Sequence, residues 1–370
     1  MSAEEDLREP FRLSRSVTED SRHDPRLLDS IARVAPGTRL REGIEYIIRS
    51  HEGALIVIGD PQALSFLYSG GIPLKLKFSA QFLYELAKMD GAVIVNESVS
   101  RLAYANVQLM PDPAVPSSET GTRHRTAERV ARQTDALVIA ISQERETLTL
   151  FVGAHRYLLD PVTDVLVRAN QALATLEAYQ RRLNQQLSRL TTLELNGAVM
   201  LEDVLAVVQR AEMSTRVADE IERDCVELGS EGRLIGLQLE ELIRELPREK
   251  RTLVYDYHAV GGDEADEALE RLSCLSFAEL LEPEFLLQLL AYPRNIVPPD
   301  HRVEPRGYHV LSRVPRLPAG IARKLAIAFG GLDAILDAGE DELQKVGGIG
   351  PNRVRDIKDA LRRLKEPDLR

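Results

Sequence analysis

The apolar positions between about Thr38 and Tyr157 follow two patterns that alternate along the chain. Short apolar runs typical of buried strands occupy residues 54–58, 92–95, 102–109, 136–141 and 147–152. Helical spacing occurs at residues 40–49, 80–88 and 128–133. Strands interleaved with helices predict an α/β domain whose mixed sheet is flanked by helices, with antiparallel pairs where the connections are short.

A different pattern begins at Asp160-Pro161, where apolar residues recur at alternating spacings of three and four. The resulting seam consists of Leu166, Ala169, Leu173, Leu176, Gln180, Leu183, Leu187 and Leu190. Because such a heptad stripe needs a partner, the amphipathic segments 199–210, 216–228 and 234–246 predict an all-α linker bundle that acts as a spacer. Packing within the chain is the simpler interpretation of the seam, and contact between copies is the alternative.

The last part of the chain contains an approximate repeat, which follows a proline-rich stretch at residues 293–305. The segment Val314-Pro-Arg-Leu317 matches Val346-Gly-Gly-Ile349 later in the chain. A basic amphipathic helix is predicted after each copy, at residues 321–329 and 352–364. The pattern predicts an all-α terminal domain built from two similar halves.

The second copy of the repeat has the chemistry of an anion site. Gly348 and Gly350 allow a sharp turn and expose backbone N–H groups at the start of the next helix, and Arg353 and Arg355 follow. This arrangement resembles the helix-hairpin-helix motif, which holds a DNA backbone without reading its bases. The first copy carries arginine and proline at the two glycine positions, so we expect the second copy to make the better phosphate contact. The alternative is a small helical interaction domain.

Composition and charge narrow the class of protein. A hydrophobic fraction of 44% is ordinary for a folded chain, and no apolar run reaches the roughly 18 residues of a membrane span. The net charge is −11, yet residues 312–370 carry more Lys and Arg than Asp and Glu, which favours a localised site for a polyanion.

Residues 1–24 are charged, lack a secretory signal and are predicted to form a mobile extension. Cys225 and Cys274 are interpreted as buried free thiols in a reducing cytoplasm.

Two short stretches in the α/β region carry candidate chemistry. Asp90-Gly91 ends a predicted helix and opens a predicted strand, although an Asp-Gly pair is usually only a turn. The stretch from Gly121 to Glu128 places two hydroxyls, two guanidiniums and an imidazole at the start of a helix, where positive charge opposes the helix dipole. A bound phosphate would remove that conflict, so the two stretches together predict a site for nucleotidyl transfer. The chain has no GxxxxGK[ST] sequence, which excludes a P-loop enzyme.

Three segments together closely resemble the DNA-integrity-scanning diadenylate cyclases of bacteria. They run from Tyr84 to Ala92, from Tyr104 to Asp112 and from Glu119 to Arg129. The first contains Met-Asp-Gly-Ala, and the third contains Gly-Thr-Arg-His-Arg-Thr. The resemblance extends over nearly the whole chain and predicts four parts. These are a mobile extension at residues 1–24, a diadenylate cyclase domain at 25–158, a helical linker at 159–298 and a tandem helix-hairpin-helix domain at 299–370.

The resemblance implies an enzyme that condenses two ATP molecules into cyclic di-AMP and releases two pyrophosphates. It implies that Asp90 is catalytic and binds a divalent metal, Mg²⁺ or alternatively Mn²⁺. The other implied catalytic residues are Arg123, His124 and Arg125. The implied nucleotide contacts are Gly91, Leu109, Thr122, Arg123, His124, Arg125, Thr126 and Ser142. The implied DNA contacts are Gly348, Gly350, Arg353 and Arg355.

The resemblance also implies an assembly and a set of partners. Family members form octamers in which cyclase domains face each other, bind branched DNA such as recombination junctions, and are inhibited by it. A cytoplasmic, nucleoid-associated location without membrane contact is therefore expected, with DNA-repair proteins as further candidate partners. Two other functions remain open: a DNA-binding scaffold that senses ATP without turnover, and a transferase that attaches AMP to DNA ends. The second of these lacks an evident nucleophilic lysine motif.

Overall fold

The computed structural model describes residues 24–293, 298 and 300–365. The extension predicted at residues 1–24 lies outside this part of the chain except for Asp24. The chain divides into two compact units, one comprising Met1–Ala169 with Glu222–Gly236 and the other Asn170–Ile221 with Leu237–Arg370. This division does not test the four domain boundaries predicted from the sequence, which remain a prediction.

The first unit contains the sheet and the four helices that cover it. Its elements are α1 (Pro25–Arg33), α2 (Arg39–Arg49), β1 (Ala54–Ile58), β2 (Tyr68–Ser69), β3 (Ile72–Lys77), α3 (Ala80–Ala87), β4 (Ala92–Val95), β5 (Arg101–Leu109), α4 (Thr122–Gln133), β6 (Leu137–Ile141), β7 (Leu148–Val152) and β8 (His155–Leu159). Ser79 caps α3, since its hydroxyl accepts a hydrogen bond from the Phe82 N–H at 3.1 Å.

The strands form one mixed sheet in the order β2-β5-β4-β1-β6-β7-β8, and β3 also pairs with β5. β1 and β4 run parallel, whereas the other recorded pairs are antiparallel. Both faces of the central strand are buried, because Ile56 and Ile58 join a core cluster with α1, α2 and α3 while Leu55 and Val57 join a second cluster with α4. The predicted α/β fold with a mixed sheet and flanking helices is confirmed.

The structure adds elements that the apolar pattern did not predict. Strand β3 has the sequence Ile-Pro-Leu-Lys-Leu-Lys and is largely exposed, so it lacks the buried apolar run of the central strands. Strands β2 and β8 and helix α1 were also not predicted. Helix α4 begins at Thr122, six residues before the predicted start, because its polar first turn carries no apolar periodicity.

The linker helices are α5 (Val162–Leu195), α6 (Leu201–Leu228), α7 (Arg233–Ile243), α8 (Leu246–Tyr257), α9 (Asp263–Cys274), α10 (Phe277–Leu281) and α11 (Pro283–Leu289). The predicted helices at 199–210 and 216–228 are a single helix, α6, since nothing between them interrupts helical hydrogen bonding. Within the second unit, Leu183, Leu187 and Leu190 of the heptad seam pack in one core with Val204 and Val208 of α6. That part of the seam is therefore buried within the chain.

The terminal helices are α12 (Tyr308–Ser312), α13 (Ala319–Phe329), α14 (Leu332–Asp337), α15 (Glu340–Gln344) and α16 (Pro351–Lys365). Their apolar faces share one core cluster, to which the two repeat copies contribute Val314, Leu317 and Ile349. The all-α linker and the all-α C-terminal region agree with the predicted fold class. Cys225 is half-buried and Cys274 is exposed, so the interpretation of both as buried thiols was wrong, although both are free.

A buried polar network lies in the second unit where α12 meets α5 and α8. Glu194 accepts hydrogen bonds from the Tyr257 hydroxyl at 2.7 Å, and one of its oxygens lies 2.8 Å from His309 Nδ1. The Asp256 carboxylate accepts the backbone N–H groups of Tyr308 at 2.6 Å and His309 at 2.5 Å, so it caps the start of α12. Burial, and next the Glu194 carboxylate, raise the pKa of Asp256 to about 7.

Candidate active site and hairpin surface

One edge of the sheet collects the residues predicted to bind the nucleotide. The register places Ala54 opposite Ile141 and Ala92 opposite Val107, while β1 and β4 run parallel. The start of β4, the end of β5 and the end of β6 therefore lie at the same edge. Asp90 and Gly91 precede β4, Leu109 ends β5, and Ser142 follows β6. Three separate predicted segments are thus brought together by strand pairing.

Gly91 is required by the packing at this edge. Its φ is +87°, a backbone conformation that L side chains rarely adopt. A Cβ atom at this position would lie 2.6 Å from the carbonyl oxygen of Val107 and 3.0 Å from its nitrogen. The glycine therefore lets β4 begin close against β5, and it holds the exposed Asp90 at the edge of the sheet.

Helix α4 directs an uncapped N-terminus toward the same edge. Its N-cap residue is Gly121, which has no side chain to accept from the first N–H groups, and its first turn contains no acidic residue. The basic side chains of Arg123, His124 and Arg125 follow instead. Free N–H donors, the positive end of the helix dipole and adjacent guanidiniums together make a site for phosphate.

Contacts with the sheet locate this first turn. The Arg123 guanidinium lies against Gly53, just before β1, so close that a Cβ at this position would collide with Nη1. The His124 ring meets the Phe151 ring edge-on with centroids 6.2 Å apart. Burial lowers the pKa of the His124 imidazole, and the guanidiniums of Arg156 and Arg123 act in the same direction. The imidazole is thus mainly neutral near pH 7 and can both donate and accept hydrogen bonds.

The loop before α4 is tied to the helix by polar contacts. Glu128 is buried and accepts from the Ser117 hydroxyl at 2.6 Å and the Ser118 N–H at 3.0 Å, while Arg132 lies 2.8 Å away. Burial raises the pKa of Glu128, but the hydrogen bond from Ser117 and the charge of Arg132 outweigh it and leave the pKa lowered. Arg129 also donates to the carbonyl of Val115 at 2.9 Å. The loop is therefore fixed relative to the first turn of α4.

The other predicted contact residues have local partners in this structure. The Thr126 hydroxyl donates to the Thr122 carbonyl at 2.9 Å, one helical turn earlier. The Ser142 hydroxyl accepts from the Arg145 N–H at 3.3 Å and so caps the charged turn between β6 and β7. Leu109 is half-buried and packs against the core beneath α4. These residues lie at or beside the sheet edge formed by the start of β4 and the ends of β5 and β6, which we call the nucleotide edge, and their roles in binding stay predictions.

The donor set at the edge is compatible with a hydrated divalent ion. Among the residues that the structure describes, no group of three or more His, Cys, Asp or Glu side chains could hold a metal. Asp90 therefore belongs to no such group. Mg²⁺ is usually bound by one or two carboxylates together with water and substrate phosphates, so one aspartate beside a phosphate site fits this ion.

The two hairpins have closely similar backbones. In the second copy, Gly348 has φ +98° and Ile349 donates to Val346 at 3.1 Å. In the first copy, Arg316 occupies the equivalent position with φ +59°, and Leu317 donates to the carbonyl of Val314 at 3.3 Å. Because an arginine adopts the left-handed conformation there, the hairpin turn is kept without its glycine. The first copy thus differs from the second in its residues, as the sequence indicates, but it keeps the same turn.

The predicted DNA contacts are all exposed to solvent. Gly348, Gly350, Arg353 and Arg355 are all exposed, and Arg353 Nη1 donates to the Gly348 carbonyl at 2.5 Å. Val354 and Ile357 of the same helix are buried in the terminal core. The basic side chains are therefore presented to solvent at the start of α16, beside the hairpin turn.

Sequence reasoning missed several residues at the nucleotide edge. Gly53, Phe151 and Arg156 come from three different strands or their ends, and only strand pairing brings them to α4. Glu128 looked like an ordinary helix residue, although its position four residues before Arg132 is a pattern of helical ion pairs. Over the described ranges, no helix combines the length and apolar character that a membrane span requires.

Comparison with known proteins gives matches over most of the chain. Residues 41–156 match the family model described as DisA bacterial checkpoint controller nucleotide-binding, and residues 159–297 match the model described as DisA bacterial checkpoint controller linker region. A protein of Carboxydothermus hydrogenoformans named DNA integrity scanning protein DisA is 48% identical over 93% of this chain and 98% of its own length. Proteins of the same name from Frankia alni and Acetivibrio thermocellus are 45% and 43% identical, over 92% and 94% of this chain and 95% and 96% of their own lengths.

Proposed function

Because the chain belongs to the DisA family of diadenylate cyclases, we propose that the nucleotide edge is half of an active site that two facing copies complete. Each copy holds one ATP. The 3′-hydroxyl oxygen of each ATP attacks the α-phosphorus of the other, and the bond to pyrophosphate breaks while the hydroxyl proton leaves. The products are one cyclic di-AMP and two pyrophosphates. The observation that carries this proposal is the shared edge of Asp90-Gly91 and the uncapped, basic N-terminus of α4.

The residues at the nucleotide edge have different proposed roles in phosphoryl transfer. Arg123 and Arg125 hold the triphosphate with the first N–H groups of α4, and Thr122 and Thr126 add hydroxyls. Neutral His124 donates a hydrogen bond to a phosphate oxygen. Gly91, Leu109 and Ser142 contact the nucleoside. Asp90 would hold a divalent ion, for which we propose Mg²⁺ with Mn²⁺ as a substitute, and such an ion would supply positive charge against the phosphates.

The C-terminal hairpins are proposed to bind DNA through its phosphates. Gly348 and Gly350 offer backbone N–H groups, and Arg353 and Arg355 add charge at the start of α16. We propose branched DNA as the preferred form, with binding that inhibits cyclic di-AMP synthesis. Assembly as an octamer, a cytoplasmic nucleoid-associated location and contact with DNA-repair proteins belong to the same proposal.

Substitution of Asp90 tests the cyclase proposal. Asp90→Asn removes a charged metal ligand from an exposed position, so we expect synthesis of cyclic di-AMP to fall at least a hundredfold with little change in melting temperature. Asp60→Asn is the matched control, because Asp60 is exposed at the other end of β1 and asparagine can still accept from the Gln62 N–H. Synthesis by Asp90→Asn at the rate of the Asp60→Asn control would remove Asp90 from the mechanism.

A further inference from the structure

An ion pair lies next to the turn proposed to bind phosphate, residues 122–126 (the phosphate-binding turn), and outside the residues assigned to it. Glu119, in the loop before α4, pairs through Oε1 with Nε of Arg156 on β8. The Glu119 side chain is only 15% exposed and that of Arg156 is 39% exposed, so water screens the pair incompletely. The pair joins β8, the strand at one end of the sheet order, to the loop that enters α4.

The same loop holds Arg125 through its backbone. Arg125 Nε donates to the carbonyl of Glu119 at 3.2 Å, and Nη2 donates to the carbonyl of Thr120 at 3.0 Å. A guanidinium has five N–H donors in a fixed plane, so two of them orient the group while the other three can serve a phosphate. The position of Glu119 therefore sets the direction of the Arg125 guanidinium.

A second contact links β8 to the same turn. Arg156 is the cross-strand partner of Phe151, and the Phe151 ring supports the edge of His124. A displacement of β8 would thus reach both Arg125 and His124. Two neighbouring residues of one turn depend on the placement of this strand.

Strand β8 is in turn anchored to helix α6. The hydroxyl of Tyr157, next to Arg156, donates to Oε2 of Glu227 at 2.5 Å. Oε1 of Glu227 accepts the Asp160 N–H at 3.1 Å, and Glu227 is only 4% exposed. Because a buried carboxylate without its donors is costly, the end of α6 and the end of β8 are expected to move together.

We propose that Glu119 and Arg156 are positioning residues for the phosphate-binding turn, and that Glu227 of α6 regulates their placement through Tyr157. The contacts run from Glu227 to Tyr157, along β8 to Arg156, and through Glu119 to Arg125. The proposal rests on the proposed cyclase function, because it requires Arg125 to hold a phosphate group of the ATP substrate. It gives the linker helix a route to the nucleotide edge that consists of direct contacts within one compact unit.

The first test separates positioning from folding. For Glu119→Gln and Arg156→Gln we expect the dissociation constant for a non-hydrolysable ATP analogue with Mg²⁺ to rise about tenfold and kcat with ATP to fall about tenfold. The double variant should lose no more than either single one, since both substitutions remove the same pair. Arg156→Lys, which keeps the charge, should recover at least half of the lost affinity. Glu97→Gln is the control, because Glu97 is exposed at the opposite end of β4.

The second test addresses Glu227. We expect Tyr157→Phe and Glu227→Gln each to weaken analogue binding about threefold to fivefold, and their effects to be non-additive with Glu119→Gln. The proposal would be overturned if the single variants bind the analogue as tightly as Glu97→Gln does. It would also be overturned if the losses of affinity multiply in the double variants. A lower melting temperature with unchanged affinity would overturn it as well. Analogue binding is measured without turnover, so a chain that binds ATP and makes no cyclic di-AMP would refute the cyclase function while still testing this inference.

Discussion

The substitution Gly91→Ala tests whether the start of β4 positions the nucleotide edge. Alanine at φ +87° carries a backbone penalty of about 1–2 kcal/mol. Its Cβ would also lie 2.6 Å from the Val107 carbonyl oxygen, so β4 and β5 must separate or the turn must rearrange, at a further cost of about 1–3 kcal/mol. We therefore expect a total loss of about 2–5 kcal/mol in stability and a displacement of the neighbouring Asp90.

Gly70→Ala provides the matched control for this experiment. Gly70 has φ +67°, and nothing lies within 4 Å of the Cβ that alanine would add there, so this variant carries the backbone penalty without the collision. The measurements are urea unfolding followed by circular dichroism and cyclic di-AMP synthesis from ATP and Mg²⁺. We expect Gly91→Ala to lose at least 1 kcal/mol more stability than Gly70→Ala and at least a hundredfold more activity. Equal stability and equal activity in the two variants would refute the reasoning.

Three further predictions concern the second unit. Arg353→Ala with Arg355→Ala should lower the magnitude of the slope of log affinity for DNA on log salt by about 2, whereas the matched pair Arg362→Ala with Arg363→Ala, farther along α16, should lower it by less; equal effects would remove the hairpin from the contact. Asp256 has a pKa raised to about 7 from 3.8, so its stabilising contribution is full below about pH 4 and is lost as the pH rises to about 7. At about 1.4 kcal/mol per pKa unit the loss is at most about 4 kcal/mol, and Asp256→Asn should flatten the fall in melting temperature between pH 5 and 8; an unchanged fall would exclude Asp256. Arg316→Gly should keep stability within about 1 kcal/mol of the wild type, whereas Arg316→Val should lose about 1–2 kcal/mol at this left-handed position; equal melting temperatures would contradict the observed turn.

The sequence predicted the central part of the fold because buried strands have an apolar pattern on both faces. β1 and β4 have the bounds predicted for them, and every residue of both strands is buried. The edge strand β3 and the strand β8 could not be found this way, since their exposed or half-buried residues carry mixed polarity. Helix α6 was predicted as two helices because Glu212 and Ser214 interrupt the apolar periodicity. Both residues are buried, and the helix continues through them.

In the candidate site, too, contiguous motifs could be predicted from the sequence, whereas contacts between distant segments could not. Asp90-Gly91 and the turn at residues 122–126 could be recognised, since each is a contiguous motif with its own chemistry. The reason for Gly91 could not be seen, because it lies in the approach of Val107 from a neighbouring strand. Arg156 has no motif at all, and it reaches Glu119 only through the register of β7 and β8.

The first hairpin copy shows what composition cannot tell about a backbone. Arginine in place of glycine made a weaker phosphate contact the expectation for this copy, and Arg316 nevertheless takes the left-handed conformation and keeps the turn. Buried Val314 and Leu317 flank this position, as Val346 and Ile349 flank Gly348, so packing on both sides fixes the backbone. The core around the turn therefore offsets the strain that arginine introduces.

The nucleotide edge is proposed to condense two ATP molecules across facing copies. The most direct measurement incubates the wild-type chain with ATP and Mg²⁺ and quantifies cyclic di-AMP and pyrophosphate over the same time course. Cyclisation predicts one cyclic di-AMP for every two pyrophosphates, with a specific activity that falls on dilution as facing copies separate. Pyrophosphate release without cyclic di-AMP, with the adenylate recovered on DNA or on the protein, would contradict the account.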